Sequence, residues 1–194
     1  AGVYLAEFGG GRLGSIVRFS ADVMSGLPSI AVGVFVYSTI VLSMRRFSAI
    51  AGSVALGILM LPTLIRTTEE LVRLVPDSLR EAGLALGVPR WRVILSVVLP
   101  TGATGIATGA MLAVARAFGE TAPLLFTAFS SRFWSTSLDK PIGSLPVQIY
   151  TYAVSPYDDW HRQAWAAALV LIAMVVVLNV VARLLASRTR ALRT

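Results

Sequence analysis

The stretch Ser78–Pro100 reads SLREAGLALGVPRWRVILSVVLP and joins a short charged segment to the start of a long apolar one. The apolar part belongs to a run of 23 residues without a charge, Val93–Ala115. A helix that crosses about 30 Å of hydrocarbon needs about 20 apolar residues, so this run is long enough to span a membrane. The stretch therefore predicts a membrane helix preceded by a polar segment that lies outside the membrane.

Three more charge-free runs have a similar length: Val23–Met44 with 22 residues, Phe47–Ile65 with 19 and Gln163–Ala182 with 20. The chain is 56% hydrophobic and 14% charged, against about 45–50% and about 25% in soluble domains. We therefore predict an all-α, polytopic membrane protein that forms a single transmembrane domain. Its four predicted spans lie at about 23–44, 47–65, 93–118 and 163–185.

Basic residues are divided unevenly among the segments that join the spans. Eleven lie on one side, in the segments 1–22, 66–92 and 183–194. Five lie on the other side, three of them in the loop 130–162. Since arginine and lysine accumulate in cytoplasmic loops, the first side is predicted to be cytoplasmic and the loop 130–162 extracytoplasmic. Arg45 and Arg46 lie in an outer turn, against this rule.

The cytoplasmic segment 66–92 contains a helix with recognisable ends. Ser78 and Glu81 have the spacing of a capping box, which predicts a helix over Leu79–Leu86. Gly87 stands where a glycine commonly ends a helix. A helix of two turns is marginal alone in water, so it must dock against something. The sequence allows two surfaces on which this helix can pack: the chain's own membrane helices and a groove in a soluble partner.

This segment resembles the coupling motif of ABC-importer permeases, E-A-A-x(3)-G-x(9)-I-x-L-P. Gly83 replaces the second alanine and Val97 the isoleucine. The resemblance implies a type I, MetI-like permease helix bundle whose coupling helix docks on a separate ATPase subunit. The coupling residues that it implies are Ser78, Glu81, Ala82, Gly83, Gly87, Leu99 and Pro100. Because such a permease normally opens with a membrane helix, we expect at least one further span before Ala1.

Charged residues at the end of the third predicted span are unusual, because a charge near the centre of a membrane helix costs about 2.5–3.5 kcal/mol on insertion scales. Arg116 and Glu120 are four residues apart and can neutralise each other on a helix. Alternatively, the planar guanidinium of Arg116 can bind the oxygens of an oxyanion such as phosphate or sulfate. The residues alone favour neither reading.

The run Arg116–Ala128, RAFGETAPLLFTA, closely resembles the signature of the PstA family, the permeases of phosphate ABC importers. The resemblance extends over nearly the whole chain and places Arg66, Arg116, Glu120 and Thr121 in the substrate path. Arg66 taken alone is equally well read as a cation at a helix end. The resemblance also implies a homologous permease partner, a dimer of ATPase subunits and an extracytoplasmic phosphate-binding protein, all at the inner membrane.

The alternatives are a permease for another oxyanion, such as sulfate or molybdate, and an anion channel or carrier that uses no ATP. A channel has no need of a docking helix, so the second is less favoured. The sequence has no G-x-x-x-x-G-K-[ST] phosphate loop, which predicts that ATP and Mg²⁺ bind to the partner and that this chain holds no cofactor. It offers no catalytic or metal-ligand constellation, so we predict that it is not an enzyme.

Overall fold

The computed structural model describes residues 1–131, 133 and 135–191, and every regular element in this part is a helix. The early helices are α1 (Gly2–Phe8), α2 (Arg12–Ser25), α3 (Ser29–Met44) and α4 (Ala49–Arg73). They are followed by α5 (Asp77–Ala85), α6 (Arg90–Phe118), α7 (Ala122–Thr127), α8 (Leu145–Ala153) and α9 (Asp158–Ala191). A π-helical turn interrupts α3 at Tyr37–Val41 and α6 at Ile94–Val98.

Three of the described helices are long and apolar enough to cross a membrane: α4, α6 and α9. The pair α2 and α3 passes the same test only together, which raises the number to four if the pair is one span. The first predicted span therefore differs from the structure, in which Val23 belongs to α2 and the next helix begins at Ser29. Pro28 explains the break, because a proline disfavours helical conformation in the residue before it.

The other predicted spans lie within single helices. The span predicted at 47–65 lies almost wholly within α4, which continues to Arg73, so the last two turns of this helix belong to the segment predicted as a loop. The span predicted at 93–118 ends where α6 ends, at Phe118. The span predicted at 163–185 lies inside the longer α9.

The chain divides into two compact units. Unit 1 contains Ala1–Met24, Pro62–Ala113 and the chain from Asn179 onward, and unit 2 contains Ser25–Leu61 and Val114–Leu178. Four helices contribute residues to both units: α4, α6 and α9, and also α2, whose last residue Ser25 belongs to unit 2.

In unit 1, small residues let α6 approach α4 closely. A Cβ atom on Gly105 would lie 3.1 Å from the side chain of Leu71, and one on Gly109 would lie 3.0 Å from Oγ1 of Thr67. Val72 is fully buried in the cluster beside this contact. Small residues spaced four apart are the usual means by which membrane helices come together without a large apolar driving force.

In unit 2, the segment that contains Leu138 and Lys140 caps the beginning of α4. The carbonyl oxygen of Lys140 accepts a bond from the backbone N–H of Ala49 at 2.9 Å, and that of Leu138 accepts one from Ile50 at 3.0 Å. Oγ of Ser48 accepts the N–H of Ala51 at 3.1 Å. These bonds satisfy amide groups that a helix start otherwise leaves without partners.

Gly33 on α3 provides a test of the packing in unit 2. A Cβ atom there would lie 2.7 Å from Cα of Pro123, which belongs to the short helix α7. We predict that Gly33→Ala lowers the unfolding free energy by about 1–3 kcal/mol, because the clash is with backbone and must push α7 away. The measurement is the melting temperature of the detergent-solubilised protein.

Gly57→Ala is the matched control, since a Cβ atom at Gly57 meets nothing within 4 Å. It makes the same chemical change in a helix without the clash. Equal melting temperatures for the two variants would contradict the packing argument.

Candidate functional site

The helix α5, which corresponds to the predicted coupling helix, begins earlier than the capping box indicates. It starts at Asp77, directly after Pro76, and no side chain caps it. The carbonyl oxygen of Pro76 accepts the N–H of Leu79 at 3.2 Å. The predicted cap at Ser78 is therefore wrong: Ser78 lies in the first turn, because the extended backbone of Pro76 (φ −57°, ψ 138°) places the helix start one residue ahead of it. The carboxylate of Asp77 in the first turn suits the positive end of the helix dipole.

The end of α5 agrees with the prediction. Gly87 has a φ of +74°, a left-handed conformation that glycine adopts without strain. Its N–H bonds the carbonyl oxygen of Leu84 at 2.9 Å, and the N–H of Val88 bonds that of Gly83 at 3.3 Å. These two bonds form a Schellman motif, which satisfies the last carbonyl groups of the helix.

The leucine side chains of α5 are open to the outside. None of its residues is fully buried, and Leu79 is 38%, Leu84 46% and the adjoining Leu86 83% exposed. Glu81 and Ala82 are exposed as well. The chain's own helices therefore cover only a small part of α5.

The contact that α5 does make explains the glycine in its motif. A Cβ atom on Gly83 would lie 2.9 Å and 3.0 Å from the two γ-methyl groups of Val93, at the beginning of α6. The second alanine of the family pattern would force these two elements apart. Gly83 therefore sets the distance between α5 and α6.

Arg80 holds α5 against the rest of unit 1. Nε and Nη2 donate to Oε1 of Glu7 at 3.0 Å and 2.8 Å, and Nη2 also donates to the carbonyl oxygen of Val72 at 2.9 Å. Nη1 donates to the carbonyl oxygen of Val75 and, at 3.0 Å, to Oδ1 of Asp77. All five N–H groups of the guanidinium thus have acceptors. One side chain joins α5 to α1 and to the C-terminal end of α4.

Glu7 and Arg80 were not singled out from the sequence. The two residues are 73 positions apart, and no local pattern links them. The sequence does show that Glu7 is a charged residue within the apolar stretch of α1. In the structure its side chain is only 3% exposed. A buried carboxylate needs a partner, so this residue predicts an ion pair without identifying its other member.

Leu99 and Pro100 lie beyond α5, in α6. Leu99 packs on the buried cluster that contains Val72 and Val98. Pro100 lies two residues after the end of the π-helical turn at Val98. A proline inside a regular α-helix clashes with the carbonyl group four residues earlier, and a wider turn at this place relieves the clash. The V-x-L-P part of the motif therefore marks a local change in the helix.

Arg66 lies on α4 in unit 1 and is paired. Its Nε and Nη2 donate to Oδ1 of Asp22, with Nε at 3.0 Å, and its Nη1 lies 3.8 Å from Oε2 of Glu69. An anion that binds Arg66 must compete with the carboxylate of Asp22.

Arg116 lies in unit 2, in the last turn of α6, and its side chain is exposed. Because α6 ends at Phe118, Glu120 is not on the same helix, and the i, i+4 relation that would pair the two residues is lost. No ion pair within the described residues includes Arg116 or Glu120. The described part of the structure therefore does not contain the ion pair between Arg116 and Glu120, which was one of the two interpretations of Arg116.

The run that follows Arg116 folds into the short helix α7. It begins after Thr121, whose carbonyl oxygen accepts the N–H of Leu125 at 3.1 Å. Thr127 is buried, and its Oγ1 donates to the carbonyl oxygen of Pro123 at 2.7 Å. Pro123, Leu124, Thr127 and Ala128 are buried, whereas the polar residues Arg116, Glu120 and Thr121 remain at least partly exposed, as do Phe118 and Gly119.

A cavity of about 440 Å³ in unit 2 is lined by Val114, Phe118, Leu124 and Leu171 among other residues. Its walls are almost wholly apolar, so it offers an oxyanion no charge and few donors. Within the run Arg116–Ala128, Arg116 is thus the one side chain whose positive charge suits an anion. Within the described residues, no group of three or more His, Cys, Asp or Glu residues could hold a metal ion.

We predict that Glu7→Gln destabilises the protein by about 3–5 kcal/mol, because it leaves a buried guanidinium without its counter-charge. Asp77→Asn is the control: it removes another carboxylate from the same arginine, but one whose side chain is 88% exposed. An exposed pair contributes about 0–1 kcal/mol. Melting temperatures of the solubilised protein measure both effects, and a similar loss in the two variants would show that burial of Glu7 is unimportant.

The arrangement of apolar spans with an exposed, anchored helix between two of them is that of an importer permease. The family model described as a binding-protein-dependent transport system inner membrane component matches residues 1–191. The chain belongs to this family. It is a multi-pass inner-membrane protein and a transporter component, not a catalyst.

Among curated proteins, the chain is similar to the phosphate transport system permease proteins PstA. It is 49% identical over 191 residues to that of Yersinia pestis and 48% identical over 185 residues to that of Haemophilus influenzae. It is 43% identical over 197 residues to PstA 1 of Mycobacterium tuberculosis. The matches cover 98%, 95% and 98% of this chain and 65%, 66% and 63% of those proteins. The chain thus spans about two thirds of the length of these relatives.

Among solved structures, the chain resembles one from the inward facing conformations of the MetNI methionine ABC transporter. The TM-score is 0.74 at 19% sequence identity, and the match covers 100% of this chain and 84% of that chain. A second crystal form gives 0.73 at 18% identity, with coverage of 95% and 83%. This likeness confirms the predicted MetI-like permease fold.

Proposed function

We propose that this chain is the transmembrane permease subunit of an ATP-driven importer of inorganic phosphate. In this proposal it pairs with a homologous permease subunit, a dimer of ATPase subunits and an extracytoplasmic phosphate-binding protein. ATP and Mg²⁺ bind to the ATPase partner. The relatives named phosphate transport system permease proteins support the substrate.

The observation that carries the proposal is the exposed helix α5. It is too short to persist alone in water, yet it presents leucine side chains and Glu81 outward. An amphipathic helix with an open apolar face fits a hydrophobic groove in a partner. We propose that this partner is the ATPase and that Glu81 and Ala82 lie in the contact, with Gly83 and Gly87 shaping the helix.

In the proposed cycle, the binding protein releases phosphate at the outer face and the ATPase subunits close when ATP binds. Their movement displaces α5, and Arg80 transmits the displacement to α1 and α4 because it bonds both. The spans then reorient and open the path to the cytoplasm. Ser78, Leu99 and Pro100 belong to the same segment and complete the proposed coupling set.

Glu81→Lys tests the proposed contact. We predict that the complex still inserts and still hydrolyses ATP, while phosphate uptake per ATP falls at least about tenfold, because a reversed charge at a contact costs several kcal/mol. Gly87→Pro should act in the same direction, since proline cannot adopt a φ of +74°. Uptake and hydrolysis are measured together in proteoliposomes that contain all subunits.

Glu70→Lys is the matched control, because Glu70 is also exposed in unit 1 but lies on α4, away from α5 in sequence. It makes the same charge reversal. Unchanged uptake by Glu81→Lys, or an equal loss in Glu70→Lys, would refute the assignment of α5 as the docking helix.

For the substrate path, we propose that Arg116 attracts the phosphate anion and that Glu120 and Thr121 lie beside it. The exposure of the Arg116 guanidinium supports this role, because its donors are open to an external oxyanion. A transport site must bind weakly enough to release its ion, which a single partly exposed arginine does. We propose Arg66 as a second anion-binding residue, at which the anion replaces the carboxylate of Asp22 as the partner of the guanidinium.

Arg116→Gln should reduce phosphate uptake at least about a hundredfold, because it removes the charge that compensates the anion, an interaction that contributes about 1.5–3 kcal/mol for each charged hydrogen bond. Assembly with the partners should persist. Arg162→Gln is the control, since its side chain in the same unit is 83% exposed. Normal uptake by Arg116→Gln in the intact complex would rule out the anion role and leave α5 coupling untouched.

A further inference from the structure

Unit 1 contains a concave basin that neither the coupling proposal nor the transport proposal uses. Its volume is about 540 Å³, and the segment Glu7–Gly10 forms one wall. Three arginines line the rest of its polar surface, namely Arg18, Arg73 and Arg90.

The basin has more positive charge than its carboxylates neutralise. Nε of Arg18 donates to Oε1 of Glu69 at 2.7 Å, and Nη2 of Arg73 forms an ion pair with the same oxygen, also at 2.7 Å. Arg90 donates to the main-chain oxygen of Glu7 at 2.6 Å, and no ion pair within the described residues includes it. The carboxylate of Glu7 is occupied by Arg80. Three guanidinium groups therefore share one carboxylate, which leaves a surplus of two positive charges.

The backbone holds this surplus in place. Nη1 and Nη2 of Arg18 donate to the carbonyl oxygens of Gly9 and Leu5 at 3.0 Å and 3.1 Å. A Cβ atom on Gly9 would lie 2.2 Å from the carbonyl oxygen of Leu5 and 2.5 Å from Nη2 of Arg18, so the close backbone approach at this turn requires glycine. The guanidinium of Arg90 lies 4.7 Å from the ring centre of Phe8. Two of the three cations are thus oriented before any ligand binds, and the third, Arg73, pairs with Glu69 while 54% of its side chain stays exposed.

The basin lies where helices leave the apolar part of the membrane. Arg73 is the last residue of α4 and Arg90 the first of α6, and both helices are candidate spans. The arginine bias of the sequence assigns this end to the cytoplasm. Basic pockets at the cytoplasmic ends of membrane helices suit the phosphate of anionic lipid head groups.

From this geometry we propose that the basin binds a phosphate group, carried either by an anionic phospholipid or by a free phosphate ion. Planar guanidinium groups bind phosphate oxygens through paired, charge-assisted hydrogen bonds. A phosphodiester or phosphate anion supplies the negative charge that the basin lacks. The inference does not depend on the transported substrate.

The experiment is native mass spectrometry of the purified complex, titrated with phosphatidylglycerol and, separately, with zwitterionic phosphatidylcholine. We expect the anionic lipid to be retained preferentially. Arg73→Gln and Arg90→Gln should each weaken its binding about tenfold, the effect of losing a hydrogen bond between charged groups. Arg92→Gln is the matched control, because Arg92 stacks on Trp91 at 5.3 Å and does not line the basin.

Competition with inorganic phosphate distinguishes the two sources. One outcome is that millimolar phosphate displaces the lipid from the wild-type complex and leaves the remaining lipid on the Arg73→Gln complex in place. In that case the basin binds the free ion as well. If phosphate has no effect, the ligand is the lipid head group. The proposal is overturned if the wild type, Arg73→Gln and Arg92→Gln retain the anionic lipid equally, with unchanged melting temperatures showing that all three are folded.

Discussion

The arrangement of unit 1 depends on the saturation of one guanidinium group. Arg80 gives all of its N–H groups to acceptors on α1, on the C-terminal end of α4 and on its own helix. Its pairing with Glu7 takes place where both side chains are largely withdrawn from water, so each charge would be costly without the other. The constraint explains how a two-turn helix with an open apolar face stays in one position. The same bonds join that helix to α4 through the carbonyl oxygen of Val72.

The solvent around the protein sets a second constraint, because apolar surface need not be hidden from lipid. In the part of α9 that belongs to unit 2, Trp165, Leu169 and Ile172 are 79%, 70% and 62% exposed. In water such a surface would cause aggregation, whereas in a bilayer it costs nothing. Helices in this environment associate through close backbone approach more than through burial. The contacts at Gly105 and Gly109 are of this kind, and so is that of Gly33 with Pro123.

Much of the fold was predictable because the signals for it are local. A charge-free run of about 20 residues identifies a span, and a glycine followed by a proline at Gly87 identifies a helix end. The runs at 47–65, 93–118 and 163–185 lie almost wholly within single long helices, and α5 ends as Gly87 predicts. The start of α5 differs from the capping pattern at Ser78, because the backbone of Pro76 begins the helix at Asp77. The bonds of Arg80 to Glu7 and of Arg18 to Glu69 were beyond reach, since their partners are 73 and 51 residues apart.

Arginines in this chain share one chemistry and differ in the number of donors that the protein leaves open. All five N–H donors of Arg80 are already bonded, so this residue is structural. Arg18 and Arg73 share a single oxygen of Glu69, so together they keep donors and charge for a ligand that stays bound. Arg116 is exposed, and the described ion pairs do not include it. We propose that its donors exchange between water and the transported anion. An arginine can therefore be assigned to architecture, to stable binding or to transient binding by asking which acceptors already occupy its five N–H groups, a question that sequence proximity does not answer.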